Sequence, residues 1–114
     1  MTVNILGADW EIVFATEAED AALADTDGYT DSSIKRITVY DMSKHSGDSL
    51  DKKDMEAYKR QVLRHEIVHA FLCESGLDGN GSSAEHWEHN EEMVDWIAIQ
   101  GLKIYKAWES VGAV

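Results

Sequence analysis

The sequence predicts a single α+β domain over residues 1–114, with a small three-stranded sheet packed on two long helices. Short runs of β-branched and aromatic residues occupy the first 40 positions. Residues 51–75 contain neither Gly nor Pro and consist mostly of good helix formers. The chain has 114 residues, 44% of them hydrophobic, which is enough for one core of modest size.

The predicted sheet begins with a hairpin. Residues 3–6 and 10–14 are strand-like, and Gly7-Ala8-Asp9 between them has the composition of a turn. Residues 34–40 (IKRITVY) predict the third strand, because β-branched residues dominate the run. Lys35 and Arg36 at its start are typical of an exposed sheet edge, where charge discourages unwanted strand pairing.

The segment between the second and third strands, residues 15–33, is acidic and rich in alanine. Thr16 and Glu19 have the spacing of a capping box, so a short helix is predicted there. Asp27-Gly28 has the composition of a turn that would end this segment.

Two long helices follow. The first, residues 51–75, is predicted to stop at Gly76-Leu77, since glycine accepts the left-handed conformation that ends many helices. The second is predicted to begin at the capping-box pair Ser82 and Glu85 and to run to about Trp108. Apolar residues cover most of the circumference of residues 93–108, so this half of the helix is predicted to be heavily buried.

Charge and cysteine content restrict the possible functions. The formal net charge of -12 disfavours direct binding of DNA or RNA, which draws on a basic surface. The single cysteine, Cys73, excludes an internal disulfide and favours a reducing compartment; we expect a buried structural thiol. No signal-peptide or membrane-span pattern is present, so the sequence predicts a soluble cytoplasmic protein with no membrane partner.

The first long helix contains the pattern H-E-x-x-H, at residues 65–69. His65 and His69 are four residues apart, so they share a helix face and can point ring nitrogens at one metal ion. Glu66 lies about 100° around the helix, where it can reach a metal-activated water without binding the metal. About 0.02 such matches are expected by chance in a chain of this composition, and two solvent-facing histidines remain the alternative interpretation.

A catalytic zinc normally has three protein ligands, so a third ligand is needed. Glu91 and Asp95 on the second helix are four residues apart and share a face. We expect Glu91 to be the third ligand and Asp95 to accept a hydrogen bond from a ligand histidine. Glu92 is the competing candidate, but it lacks such a partner at the i+4 position. Apolar neighbours on both helices strengthen the metal interpretation, because buried unpaired histidines and carboxylates are costly.

Further residues are candidates for contacts with substrate or transition state. A hydrogen bond to a developing oxyanion could come from a histidine near the second helix or from a tyrosine on the sheet side, and the candidates are His86, His89, Tyr29 and Tyr40. Arg64 is a candidate partner for Glu91, Asp95 or a substrate carboxylate, with an ordinary surface arginine as the alternative. His45 lies in a predicted loop and receives no role.

These residues resemble the Glu-zincin metallopeptidases, in which a Glu on a following helix joins H-E-x-x-H. The element Asn90-Glu91 with Asp95 is similar to the N-E-x-x-x-D element of thermolysin-like enzymes. The stretches RHEIVHAFLCESGL and NEEMVDWIA are similar to small phage or prophage proteins of the minimal-zincin type and to compact metallopeptidases that cleave phage repressors. The metzincin pattern does not fit, because Leu72 and Ser75 stand where it requires Gly and His.

The resemblance implies a minimal zincin-like fold with one Zn²⁺ per chain. It implies His65, His69 and Glu91 as ligands, Glu66 as general base and Asp95 as the residue that orients a histidine. The expected activity is hydrolysis of a peptide or protein substrate, in a bacterial cytoplasm if the chain is phage-derived, with the peptide antiparallel to residues 34–40. The alternative function is a non-catalytic, zinc-stabilised binding module. Two histidines and a carboxylate also suit iron, but the internal Glu66 favours zinc.

Overall fold

The computed structural model describes residues 1–42, 53–77 and 90–114. These residues form an α+β fold, a four-stranded mixed sheet with two long helices. The elements in chain order are β1 (Thr2–Ile5), β2 (Ala8–Ala15), a short 3-10 helix (Ala21–Ala24), β3 (Gly28–Asp31), β4 (Arg36–Tyr40), α1 (Met55–Glu74) and α2 (Glu91–Ser110). Within the described ranges neither long helix is apolar enough over sufficient length to cross a membrane.

The strands are arranged in the order β1-β2-β4-β3. The hairpin β1-β2 is confirmed, with a tighter turn than predicted: Leu6 and Gly7, both with positive φ, form the whole loop. This is the backbone of a type I′ turn, whose twist matches that of the flanking strands. Strands β2 and β4 pair in parallel, and β3 pairs with β4 antiparallel.

The prediction of three strands was wrong, because Gly28 does not lie in a turn but begins a fourth strand, β3. The prediction that residues 34–40 form an exposed edge was wrong for the same reason. Strand β4 is interior, paired with β2 on one side and β3 on the other. Lys35 lies in the turn before β4 and binds Glu74 of α1, while Arg36 pairs with Glu11 at 3.1 Å. The basic residues therefore hold neighbouring elements together.

The core lies between the sheet and α1. Its buried members come mainly from the strands, as period-two patterning predicts; they are Ile5, Trp10, Ile12, Ile37, Val39 and Ala70. Trp10 is completely buried, and its indole N–H donates to Glu74 Oε1 at 2.8 Å. This bond satisfies the polar atom that burial of an indole would otherwise leave unpaired. Cys73 is half-buried and packs against the same cluster.

The segment between β2 and β3 forms less helix than predicted. Thr16 and Glu19 do bond, since the Thr16 N–H and hydroxyl both donate to Glu19 Oε1. The short 3-10 helix begins only after Asp20, whose side chain accepts from the Ala22 N–H. The buried Leu23 anchors this turn in the fold.

Both long helices are present in the described chain, with different starting points. Helix α1 begins after its cap Asp54 rather than at residue 51, and it ends where predicted, with Gly76 in the left-handed conformation. The Leu77 N–H then donates to the Leu72 carbonyl at 3.0 Å, which closes the helix end. Helix α2 begins at Glu91, capped by Asn90. The predicted start at Ser82 and Glu85 lies outside the described residues.

The prediction that residues 93–108 are heavily buried was wrong. Only two residues of α2, Val94 and Ala98, are fully buried. Large apolar side chains farther along the helix are about half exposed, among them Leu102 at 57% and Trp108 at 55%. An all-round apolar pattern shows which residues favour burial, but it does not supply the surface that would cover them.

Gly28 allows β3 to approach α1 closely. A Cβ at this position would lie 2.9 Å from Val62 Cγ1 and 3.1 Å from the Thr38 carbonyl oxygen, which belongs to the fixed neighbouring strand. We therefore expect Gly28→Ala to lower the free energy of unfolding by about 1–3 kcal/mol. Gly101→Ala is the control, because a Cβ there meets nothing within 4 Å and Ala favours the helix by about 0.5–1 kcal/mol. Urea denaturation should show a lower free energy of unfolding for Gly28→Ala and a higher one for Gly101→Ala. Equal stability of Gly28→Ala and wild type would contradict the close approach.

Candidate metal centre

The two histidines of α1 lie side by side on the face that meets α2. Their ring centroids are 4.9 Å apart, in an edge-to-face arrangement, and the two Nε2 atoms are 3.1 Å apart. The spacing follows from the helix, since residues four apart stack one turn above each other. His69 is buried, and the His65 side chain is mostly buried. The structure thus brings the two predicted ligand atoms together.

Glu91, at the first turn of α2, completes a triangle whose corners are the two Nε2 atoms and the Glu91 carboxylate group. Its Oε2 lies 3.0 Å from His65 Nε2, and its Oε1 lies 3.1 Å from His69 Nε2. Asn90 positions this turn by accepting a hydrogen bond from the Met93 N–H at 2.9 Å. The Glu91 side chain is 68% exposed, so the triangle opens to solvent on that side.

The triangle has the dimensions of a tetrahedral metal site. Ligand atoms at about 2.0–2.1 Å from a zinc ion, separated by tetrahedral angles, are about 3.3 Å from each other. The two Nε2 atoms are 3.1 Å apart, and the Glu91 carboxylate approaches them at 3.0 and 3.1 Å through its two different oxygens. A bound cation can accept a lone pair from each of the three side chains. Without a cation, these side chains can satisfy one another only by hydrogen bonds, and few protons are available for them to share. The two histidines and the Glu91 carboxylate are therefore the residues that could hold a metal ion here.

Asp95 lies one turn after Glu91, behind the His65 ring. Its Oδ1 is 3.2 Å from His65 Nδ1. A proton on Nδ1 that is donated to this carboxylate leaves Nε2 with its lone pair directed at Glu91 and His69. Asp95 is therefore placed where it can orient the His65 ring by accepting a hydrogen bond from Nδ1.

Glu66 is 5% exposed and lies beside the triangle without forming part of it. His65, Glu66 and His69 each place a potential ligand atom within 4.8 Å of the other two, and among the described carboxylates it is Glu91 that reaches both histidines at about 3 Å. The Thr30 hydroxyl on β3 lies 3.3 Å from Glu66 Oε2 and can donate to it. Burial raises the pKa of the Glu66 carboxyl, while His69 and His65 partly oppose the increase. A carboxylate of raised pKa is a stronger base, as proton removal from water requires.

No model of a known protein family, no curated protein and no solved structure matches this chain. The function is therefore inferred from the chemistry of the site itself.

Two adjoining depressions form a groove over the candidate centre. One, of about 260 Å³, has walls from β3, α1 and α2, and the other, of about 430 Å³, extends toward Tyr29 and His69. The depressions share four residues, so they are continuous, and the shared residues are Thr26, Gly28, Glu66 and Glu91. The groove follows β3, an edge strand of the described sheet.

The other predicted contact residues have different surroundings. Tyr29 lines the larger depression, and its hydroxyl donates to the Asp20 carboxylate, which raises the Tyr29 pKa. Tyr40 ends β4 and is not among the described residues that line the groove. Arg64 Nε donates to the Ala98 carbonyl at 2.7 Å and so joins α1 to α2 instead of contacting Glu91 or Asp95 through that atom.

The competing third ligand, Glu92, lines a separate depression with Asn90, Met93 and Trp96. It therefore lies on a different side of α2 from Glu91. The remaining histidines, His45, His86 and His89, lie outside the described residues.

Sequence reasoning missed the residues that form one end of the groove. The Tyr58 hydroxyl donates to Asp27 Oδ2 at 2.5 Å, and both residues line the smaller depression with Gln61 and His65. Tyr58 precedes His65 by seven residues, so helical periodicity alone places it on the metal-binding face. Asp27 and Thr30 gave no comparable signal, because the sequence pattern did not identify β3.

Proposed function

We propose that this protein is a zinc-dependent peptidase, in which His65, His69 and Glu91 bind the metal and Glu66 is the general base. The observation that carries the proposal is the Glu91 carboxylate lying 3.0–3.1 Å from both histidine Nε2 atoms, with the buried Glu66 carboxylate beside them. When bound, zinc supplies Lewis-acid polarisation of the peptide carbonyl and lowers the pKa of a water molecule toward neutrality. Three protein ligands and an open side favour catalysis, since structural zinc sites usually have four.

Glu66 moves the proton in the proposed reaction. Its carboxylate removes a proton from the attacking water and then delivers a proton to the nitrogen of the departing amine. Thr30 holds the side chain in place through its hydroxyl, which lies 3.2 Å from the Glu66 carbonyl and 3.3 Å from its carboxylate. Asp95 keeps His65 oriented throughout, through its contact with Nδ1.

The edge of β3 is the place where a peptide backbone can pair. The Tyr40 N–H donates to the Asp27 carbonyl at 2.8 Å, so the alternation of an antiparallel ladder turns the backbone groups of Gly28 and Thr30 away from β4. An extended peptide can add to this edge by main-chain hydrogen bonds and pass over Glu66. The edge of β3 thus replaces residues 34–40 as the expected site of peptide pairing, because β4 is already paired with a strand on each side.

Removal and return of metal test the proposal. The zinc-loaded protein is incubated with a mixture of unstructured peptides, and new termini are identified by mass spectrometry. We expect cleavage that a chelator abolishes and that one equivalent of zinc restores, because binding of the metal is reversible. His69→Ala is the matched control for a contaminating protease, since it lacks a ligand but is purified identically. Cleavage that persists with chelator or in His69→Ala would refute the proposal.

A further inference from the structure

The end of the groove remote from Thr30 carries negative charge that the candidate metal centre does not use. The described residues lining the groove include four carboxylates and no lysine or arginine. Glu66, Glu91 and Asp95 belong to the candidate centre. Asp27 is the fourth, and no lysine or arginine nitrogen of the described residues is found within 4 Å of it.

Asp27 is held in position by a hydrogen bond from a neutral donor. Its Oδ2 accepts the hydrogen bond from the Tyr58 hydroxyl at 2.5 Å. This bond raises the pKa of Tyr58 to about 12, so the tyrosine remains a neutral donor at physiological pH. A neutral donor orients a carboxylate but cannot neutralise it, so the charge is available to a ligand.

The position of Asp27 corresponds to a definite distance along a bound peptide. Strand β3 and α1 run in the same direction, because Asp27 contacts Tyr58 and Thr30 contacts Glu66. Tyr58 precedes His65 by two helical turns, or about 10 Å of helix rise. An extended chain advances about 3.3 Å per residue, so Asp27 lies about three residues from the scissile bond. A peptide antiparallel to β3 has its C-terminal side at this end.

We propose that Asp27, oriented by Tyr58, determines substrate specificity by binding a lysine or arginine side chain about three residues C-terminal to the scissile bond. The substrate class is therefore a peptide with a positively charged residue at that position. This inference rests on the proposed peptidase function. With a divalent cation bound, the charges of Glu91 and Asp95 are offset, so Asp27 is the carboxylate of the described groove residues that remains to attract a positively charged side chain.

Binding to a non-hydrolysing protein tests the subsite separately from catalysis. The probes are fluorescein-labelled ten-residue peptides that carry lysine, norleucine or glutamate at one test position. Separate series place this test position at each point along the peptide. Fluorescence anisotropy measures their Kd with zinc-loaded Glu66→Gln protein. We expect lysine to bind about tenfold more tightly than norleucine at one position only, and the preference to weaken with added salt.

Variants of the loop assign the preference to Asp27. Asp27→Asn in the same background should reduce the lysine preference to less than about twofold, and Asp27→Lys should favour glutamate. Asp25→Asn is the matched control. It removes the same charge two positions before Asp27, and Asp25 does not line the groove. A preference that survives Asp27→Asn, or its absence in every peptide, overturns the inference. An unchanged Kd for the norleucine peptide shows that a variant is folded, and a gain of glutamate binding by Asp27→Lys cannot result from unfolding.

The two proposals fail in different ways. Wild-type cleavage of peptides without any preference for a basic residue would overturn the Asp27 subsite and leave the peptidase intact. Lysine-selective binding that Asp27→Asn abolishes, without cleavage by the zinc-loaded wild type, would support the subsite and refute the peptidase.

Discussion

Glu91→Ala and His69→Ala are each expected to weaken zinc binding by more than about 100-fold, while Glu92→Ala leaves it unchanged. Glu91 reaches both histidine nitrogens, at 3.0 and 3.1 Å, whereas the neighbouring Glu92 lines a different depression. Removing Glu91 leaves two ligands, which is fewer than the three that a catalytic zinc site normally uses. Glu91 is exposed, so its loss should not disturb the core.

Asp95→Asn should give an intermediate result. Asp95 contacts His65 Nδ1 but does not reach the triangle, and residues that only orient a ligand typically contribute 10- to 100-fold in metal affinity. Elemental mass spectrometry gives the zinc content per chain, and competition with a chromophoric chelator gives the affinities. A loss in Glu92→Ala equal to that in Glu91→Ala would exclude the assigned ligand set. Wild-type protein that is folded but takes up no zinc would mean that the triangle is not a metal site.

The part of this site that lies on one helix follows from local geometry. His65, Glu66 and His69 keep the same mutual positions in any α-helix, so their arrangement could be predicted without a tertiary structure. Glu91 and Asp95 also share a face because of their spacing. Their approach to the histidines depends on the packing of two helices, and it was predicted from the need for a third ligand, from the apolar residues around both motifs and from the resemblance to Glu-zincins.

The features that were not predicted depend on contacts between distant segments. Gly28 was interpreted as a turn residue because glycine is common in turns, yet its role here is to let β3 approach Val62 of α1. Four residues are too few to show a strand period, so an edge strand of this length escapes pattern analysis. The same limitation hid the pairing of Asp27 with Tyr58, although the position of Tyr58 on the helix face was predictable.

Helix α2 illustrates a different limit. Its apolar residues predicted burial on most sides, but α1 covers only the side that contains Val94 and Ala98. Periodicity reports which positions favour an apolar environment, and the number of neighbouring elements decides how many of them are covered. With one helix neighbour in the described fold, Leu102 and Trp108 remain about half exposed.

Glu66→Gln is expected to retain zinc and the fold but to lower kcat by about 10²–10⁴-fold, the usual contribution of a general base. Glutamine has almost the same shape, and its amide oxygen can still accept from the Thr30 hydroxyl that lies 3.3 Å from Oε2. Burial of Glu66 makes a neutral replacement tolerable, because no charge has to be desolvated. Zinc content and thermal unfolding of the variant should therefore match those of wild type, so the loss of rate can be assigned to proton transfer.

Thr30→Val is the companion variant that separates positioning from chemistry. It removes the hydroxyl that supports Glu66 but leaves the carboxylate, so we expect a smaller decrease in kcat than in Glu66→Gln, with zinc content unchanged. Cleavage by Glu66→Gln at the wild-type rate would remove Glu66 from the reaction. If wild type binds one zinc per chain but neither it nor any variant cleaves peptides, the metal stabilises a binding module instead. A cobalt-substituted sample then distinguishes the cases, since a binding module predicts a closed four-ligand spectrum and a peptidase predicts an open position that exchanges water.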